Sequence, residues 1–180
     1  MVTNGGNSKE MKILYRIGIT ACLVLSLFMS FKFYNVAIPI KVQDTEAITI
    51  KRMAQAFNIT YEVSKIFVSH GRLKGIDPVL LASIAVPESG NNPNAVSPKG
   101  YKGRMQSDTH KYQFDSVEIL NGTEKLVQFM KYANGDIVQA LAMYNGGTNP
   151  QVYNSRQCQG YAKTVLKIYT NAREIVYSRT

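Results

Sequence analysis

Eight successive residues, Val79 to Val86, carry almost no polarity, and they restrict the folds open to this chain more than any other segment. Asp77-Pro78 stands directly before them. An Asp there offers a side-chain oxygen to the free N–H groups of a helix start, and a Pro fits the first helical position, where no N–H is needed. A helix that is apolar nearly all round has no face to give to water, so it belongs at the centre of a core. The segment runs into Pro87-Glu88-Ser89-Gly90. Pro87 is expected to end or kink the helix, since a proline inside a helix loses one hydrogen bond and crowds the preceding turn, at about 3 kcal/mol.

The rest of the chain supplies partners of the same kind. Val63, Ile66, Phe67 and Leu73 recur near helical spacing over 61–74, and Gly75 follows as a stop signal. Helical patterns return over 116–133 (Val117, Leu120, Leu126, Val127, Met130), over 136–144, and over 159–176 (Tyr161, Val165, Ile168, Tyr169, Ile175). Asn145-Gly146-Gly147 breaks the chain between the last two. Residues 89–114 are rich in Gly, Pro, Asn, Ser and Lys and read as loop or short irregular strands. A loop of that length in a small domain usually has a function. No strand alternation is sustained and no repeat is evident. The expected fold is one mainly α domain over 59–180, preceded by a mixed, polar tether over 39–58.

The N-terminus has a different character. Lys9, Lys12 and Arg16 precede an apolar run from Ile17 to Phe31, and Phe33, Tyr34, Val36, Ala37 and Ile38 continue it beyond Lys32. A positive flank followed by an apolar core is the pattern of an export signal or a membrane anchor. Roughly 20 residues span a bilayer, so the run must include the part beyond Lys32, whose ammonium can snorkel to the interface. No small-x-small cleavage site follows. The expectation is therefore a single uncleaved transmembrane helix over 13–38, with residues 1–12 in the cytoplasm and the domain outside. Ile19-Thr20-Ala21-Cys22 has the look of a lipidation signal, but most of the apolar run follows Cys22 rather than preceding it. Cys22 and Cys158 are expected to be unpaired thiols, and neither has zinc-ligand spacing.

The formal charge is +9, and most of it belongs to the body: beyond residue 50 there are 16 basic and 9 acidic residues. A basic body favours anionic partners, whether nucleic acid, acidic lipid or the acidic polymers of a bacterial envelope. No long Lys/Arg run or nucleic-acid motif points to DNA or RNA, and no nucleic-acid partner is expected.

Four segments, in order, are similar to those of the lytic transglycosylase (SLT) domain of the lysozyme-like superfamily. Leu80 to Gly90 resembles that family's apolar helix ending in Glu-Ser-Gly. Asn91-Asn92-Pro93-Asn94-Ala95-Val96-Ser97-Pro98-Lys99-Gly100 resembles its Asn-Pro…Ser-Pro-x-Gly loop. Gly103-Arg104-Met105-Gln106 matches Gly-Leu-Met-Gln except at Arg104, and Ala140 to Gly147 is close to Ala-Leu-x-x-Tyr-Asn-x-Gly. Tyr161, with Val165 and Tyr169, fits the closing helix. The resemblance covers roughly residues 60–172. It implies a goose-type lysozyme/SLT helical fold with a small irregular loop/β region.

It also implies a reaction: cleavage of the MurNAc-GlcNAc β-1,4 bond of peptidoglycan, with Glu88 as general acid and then base, leaving 1,6-anhydro-MurNAc ends. Such an acid must stay protonated near neutral pH, and burial at the end of an apolar helix favours that. Ser97 and Gln106 would hydrogen-bond the glycan strand, Met105 would pack beside it, and Tyr144 would sit near Glu88. Asn145 is open between a ligand contact and a turn former, and Tyr161 and Met105 between groove and core. No metal or cofactor is expected. Most glycosidases use two carboxylates; Asp108 and Asp115 are available for a hydrolytic, lysozyme-type route, though both also read as ordinary loop acids. The departures at Pro87, Arg104 and Ser107-Asp108-Thr109-His110 keep open a third possibility, a glycan-binding scaffold that does not cut. His110 reads as a surface imidazole. The architecture suits a bacterial inner-membrane protein with its domain on the periplasmic side, opening the wall for a secretion, conjugation or pilus machine.

Overall fold

Helix formation follows the apolar spacing through most of the chain. The computed structural model describes residues 41–109 and 114–178, and seven helices lie among them. These are α1 (Lys41–Phe57), α2 (Tyr61–Lys74), α3 (Pro78–Ser89), α4 (Asp115–Tyr132), α5 (Ile137–Gly146), α6 (Pro150–Tyr153) and α7 (Arg156–Tyr177). The described residues contain no strand. Residues 90–109 form an irregular loop with two isolated antiparallel bridges, Val96–Lys102 and Lys102–Asp108. The fold is mainly α.

α3 is the central element. Asp77 caps it, accepting from the Val79 N–H at 2.9 Å, and Pro78 takes the first position. Leu81, Ala82, Ser83, Ile84 and Ala85 are all fully buried. Truncating Leu81 or Ile84 to Ala should cost about 2–5 kcal/mol. The one polar side chain in this stretch, Ser83, satisfies its hydroxyl on the Val79 carbonyl at 2.7 Å. Pro87 does not end the helix, which continues to Ser89. The closing turn is wide instead: Gly90, at φ 63°, donates to the carbonyls of both Ala85 and Val86, and Asn91 donates to Ala85. Glu88 therefore leaves the last helical turn with its direction fixed.

α7 lies along α3 and is tied to both of its ends. Tyr169 and Tyr177 each donate a 2.9 Å hydrogen bond to the Asp77 carboxylate at the start of α3. Tyr161 reaches Glu88 at the other end. α5 also packs on α7 and α4, while α2 packs on α3 and α4. Leu126 and Ile119 of α4, Leu141 of α5 and Val165 of α7 close the core around α3.

Residues 41–57 are helical where a tether is expected. The reason is a short stripe: Ile50, Met53 and Phe57 share one face and are buried in the core. The Ser64 hydroxyl donates to the Ile50 carbonyl at 2.8 Å, and Arg52 donates to the carbonyls of Val176, near the end of α7, and Ser178, just past it. Residues 43–180 form one compact unit. The expected anchor over 13–38, including Cys22, lies outside the described residues, as does His110. Among the described residues no helix is long and apolar enough to cross a membrane. Cys158 is a free, buried thiol.

Candidate active site

A cavity of about 520 Å³ opens where the end of α3, the 90–109 loop, α4 and α5 meet. Glu88, Ser97, Gln106, Tyr144 and Asn145 all line it, although they come from three separate stretches of sequence. Glu88 is the only carboxylate among its described lining residues. Tyr161 stands behind Glu88, donating its hydroxyl to Oε1 at 2.6 Å. Burial raises the Glu88 pKa above its ordinary value, and the Tyr161 hydrogen bond and the Lys125 charge oppose that rise. Burial and the adjacent Glu88 hold the Tyr161 hydroxyl far above its usual range, so it remains a donor.

The loop is held to the helices by a set of backbone anchors centred on Gly103–Gln106. Ser89 donates to the Arg104 carbonyl at 2.7 Å, directly after Glu88 in the chain. The Met105 N–H donates to Glu118 Oε1 at 2.6 Å, and the Met105 carbonyl accepts from the Tyr144 hydroxyl at 2.9 Å. A side chain at Gly103 would come within 2.6 Å of the Glu118 carboxyl carbon, so only glycine permits this approach. Gly122 plays the same part for Met105, whose Sδ lies 2.5 Å from where a Cβ would stand.

These contacts correct several expectations. Met105 does not face the cavity: its side chain is fully buried against Gly122, because the loop turns it inward while its backbone serves Glu118 and Tyr144. Asn145 is not a turn former, since α5 runs through Gly146 and the positive φ falls on Gly147. It lies at the cavity with Oδ1 accepting from the Cys158 thiol at 3.4 Å. Arg104 is buried; its guanidinium faces both Asp115 oxygens at 3.3 and 3.4 Å and donates to the Asn91 carbonyl. Asp115 is therefore engaged away from the cavity, and neither it nor Asp108 lines it.

Gln106 has a specific geometry. Its backbone is left-handed, at φ 46°. Its amide nitrogen donates to the carbonyls of Gly103 at 2.7 Å and Ala95 at 3.2 Å, which turns Oε1, buried and without a partner, to other use. Ser97 closes a tight turn, with Oγ accepting from the Tyr101 N–H at 3.0 Å. Tyr144 is nearly fully buried, with its ring edge-on to Phe129 at 6.4 Å.

Two residues of the site went unmarked in the sequence, Glu118 and Lys125. Glu118 is 5% exposed and burial raises its pKa, against opposing hydrogen bonds from the backbone of Met105 and Arg104. Lys125 lines the cavity with its ammonium 4.4 Å from the Tyr144 ring centroid. Both stand on the buried stripe of α4 formed by Ile119, Gly122, Thr123 and Leu126, where a charged residue at a core position is the available signal.

No family model matches the chain. The fold is similar to that of the lytic transglycosylase Slt from Pseudomonas aeruginosa, solved as an inactive mutant, with a TM-score of 0.54 and 19% identity. The match covers 64% of this chain and 24% of that one, so this chain spans about a quarter of its length. The likeness is one of fold.

Proposed function

We propose that this chain is a peptidoglycan lytic transglycosylase in which Glu88 serves as acid and then as base. The observation that carries the reading is a half-buried carboxylate, the only one among the cavity's described lining residues, beside polar groups that are neutral or cationic. Most inverting or retaining hydrolases use two carboxylates flanking the bond. With one, protonated Glu88 gives its proton to the departing 4-oxygen as positive charge builds at C1 of the muramyl ring. The resulting carboxylate then takes the proton of that sugar's 6-hydroxyl, whose oxygen bonds to C1. No water enters, and Glu88 ends protonated, ready for the next bond.

The surrounding groups suit this cycle. Burial favours the acid form at the start, and the Tyr161 hydroxyl stabilises the carboxylate formed midway. Ser97 and Asn145 give the cavity a polar edge for glycan hydroxyl and acetamido groups, with Gln106 beside them. The fold likeness to a lytic transglycosylase agrees with the reading. The test is the mass of the sugar ends released from purified wall by the full-length protein and its Glu88→Gln variant. Ends one water lighter than hydrolysed ends, absent with the variant, are expected. Ordinary reducing ends would make it a lysozyme, and wall binding without release would make it a scaffold.

We also propose that residues 13–38 anchor the protein in a bacterial cytoplasmic membrane with 59–180 outside, where it opens the wall for an envelope-spanning machine. Retention in the membrane fraction after alkaline extraction, with the domain open to added protease in spheroplasts, is expected. Release into the soluble fraction would contradict it.

A further inference from the structure

The cavity holds a charge that the reaction described above does not consume. Lys125 rises from the buried stripe of α4, and its ammonium stands 4.4 Å from the Tyr144 ring centroid and 5.6 Å from that of Tyr101. The two rings hold the ammonium through their faces, which fixes it without neutralising it. Among the described residues no carboxylate lies within the 4 Å of an ion pair, although α4 itself offers Glu118 and Glu124. Each of those is committed elsewhere, Glu118 to the Met105 N–H and Glu124 to Lys74. Lys99 lines the same cavity, so two lysines share it with one carboxylate among its described lining residues, and that carboxylate must be protonated when the substrate arrives. Burial pulls the Lys125 pKa down, and only the Glu88 charge across the cavity opposes this, a charge that is absent while Glu88 is protonated. An anion brought by the ligand would relieve this.

We infer that Lys125 is a carboxylate-recognition site, which makes the cavity selective for glycan strands carrying an anionic substituent over neutral β-1,4 aminosugar polymers. The inference rests on the reading of the cavity as a glycan site. Two carboxylates meet the requirement on a wall strand: those of a peptide stem, and the free lactyl carboxylate of a muramyl residue whose stem has been removed. An ion pair formed in this half-buried position is stronger than one on an open surface, because solvent screens it less.

The experiment uses full-length Glu88→Gln protein, with and without Lys125→Met, and three soluble ligands of equal length. These are stem-bearing strands, amidase-stripped strands and neutral chito-oligomers. Lys125→Met is expected to weaken binding of a carboxylate-bearing strand about tenfold and the chito-oligomer less than about twofold. Lys125→Arg should restore most of the difference, and raising the salt from about 0.05 to 0.5 M should shrink it. Loss confined to stem-bearing strands assigns the site to the stem, and loss confined to stripped strands assigns it to the lactyl group. An equal loss on all three ligands would mean that Lys125 only supports the fold around Tyr144, and would overturn the inference. So would no loss on any. Lys125-dependent selectivity in a protein whose active form releases no anhydro ends would leave this inference standing and defeat the transglycosylase reading.

Discussion

The end of α3 half-buries one glutamate and the start of α4 buries another, and in each case desolvation raises the carboxyl pKa. Glu88 meets one hydroxyl, that of Tyr161, and otherwise faces a cavity. Glu118 meets the backbone N–H groups of the 103–106 loop and does not line that cavity. Desolvation alone therefore does not separate the proposed acid from a structural one. What separates them is the nature of the donors: fixed backbone groups at Glu118, one side chain and open space at Glu88.

Substitutions at the two positions should diverge. Glu88→Gln removes the transferable proton, and wall-cleaving turnover should fall by about 10³-fold or more. Its melting temperature should stay level or rise, because Gln can still accept from Tyr161 and no longer resists burial. Cleavage assays beside calorimetry check both halves, and a large loss of stability would erase the contrast. Glu118→Ala leaves two backbone donors without an acceptor, and should cost about 2–4 kcal/mol in denaturant unfolding. Residual activity should then follow the folded fraction.

Glu118→Gln should cost less and also remove a pH dependence. A glutamate whose folded pKa lies above its unfolded value contributes stability below that value, ordinarily 4.5, and loses it as pH rises through the folded pKa. Stability measured from about pH 4 to 7 should therefore fall less steeply in Glu118→Gln than in the parent protein. Arg104→Leu restores the apolar residue of the resembled motif but strands Asp115 and the Asn91 carbonyl. A loss of about 1–3 kcal/mol is expected, and a gain in stability would show that the buried guanidinium is not what holds this turn. The smallest effect belongs to Tyr161→Phe. Its hydroxyl lowers the Glu88 pKa, so removing it should move the alkaline limb of the pH–rate profile upward. A downward shift would reverse the assigned sign.

Much of this arrangement was legible in the chain. Asp77-Pro78 and Gly75 mark helix limits through local rules that tertiary contacts did not override, and the apolar run of α3 could only be central. Ser97, Gln106, Tyr144 and Asn145 reach the cavity of Glu88 as the motif order implies. What was hidden depends on contacts between distant residues. Arg104 looks out of place until Asp115, eleven residues on, is seen to meet it across the loop. Met105 turns inward because Gly122 makes room, a complementarity no local pattern displays. Glu118 and Lys125 are not marked by the periodicity of α4, which its apolar members alone display. The stripe Ile50, Met53 and Phe57 crosses the point where polar composition suggested a tether.

The proposed function rests on one carboxylate acting twice without water. Wall digestion by the full-length protein in heavy-oxygen water tests this most directly, because hydrolysis must place a solvent oxygen on C1 of every new end. The account predicts anhydro ends carrying no heavy oxygen, and no new ends from Glu88→Gln. New ends labelled with solvent oxygen would contradict it, and would require a second group in the cavity to activate that water.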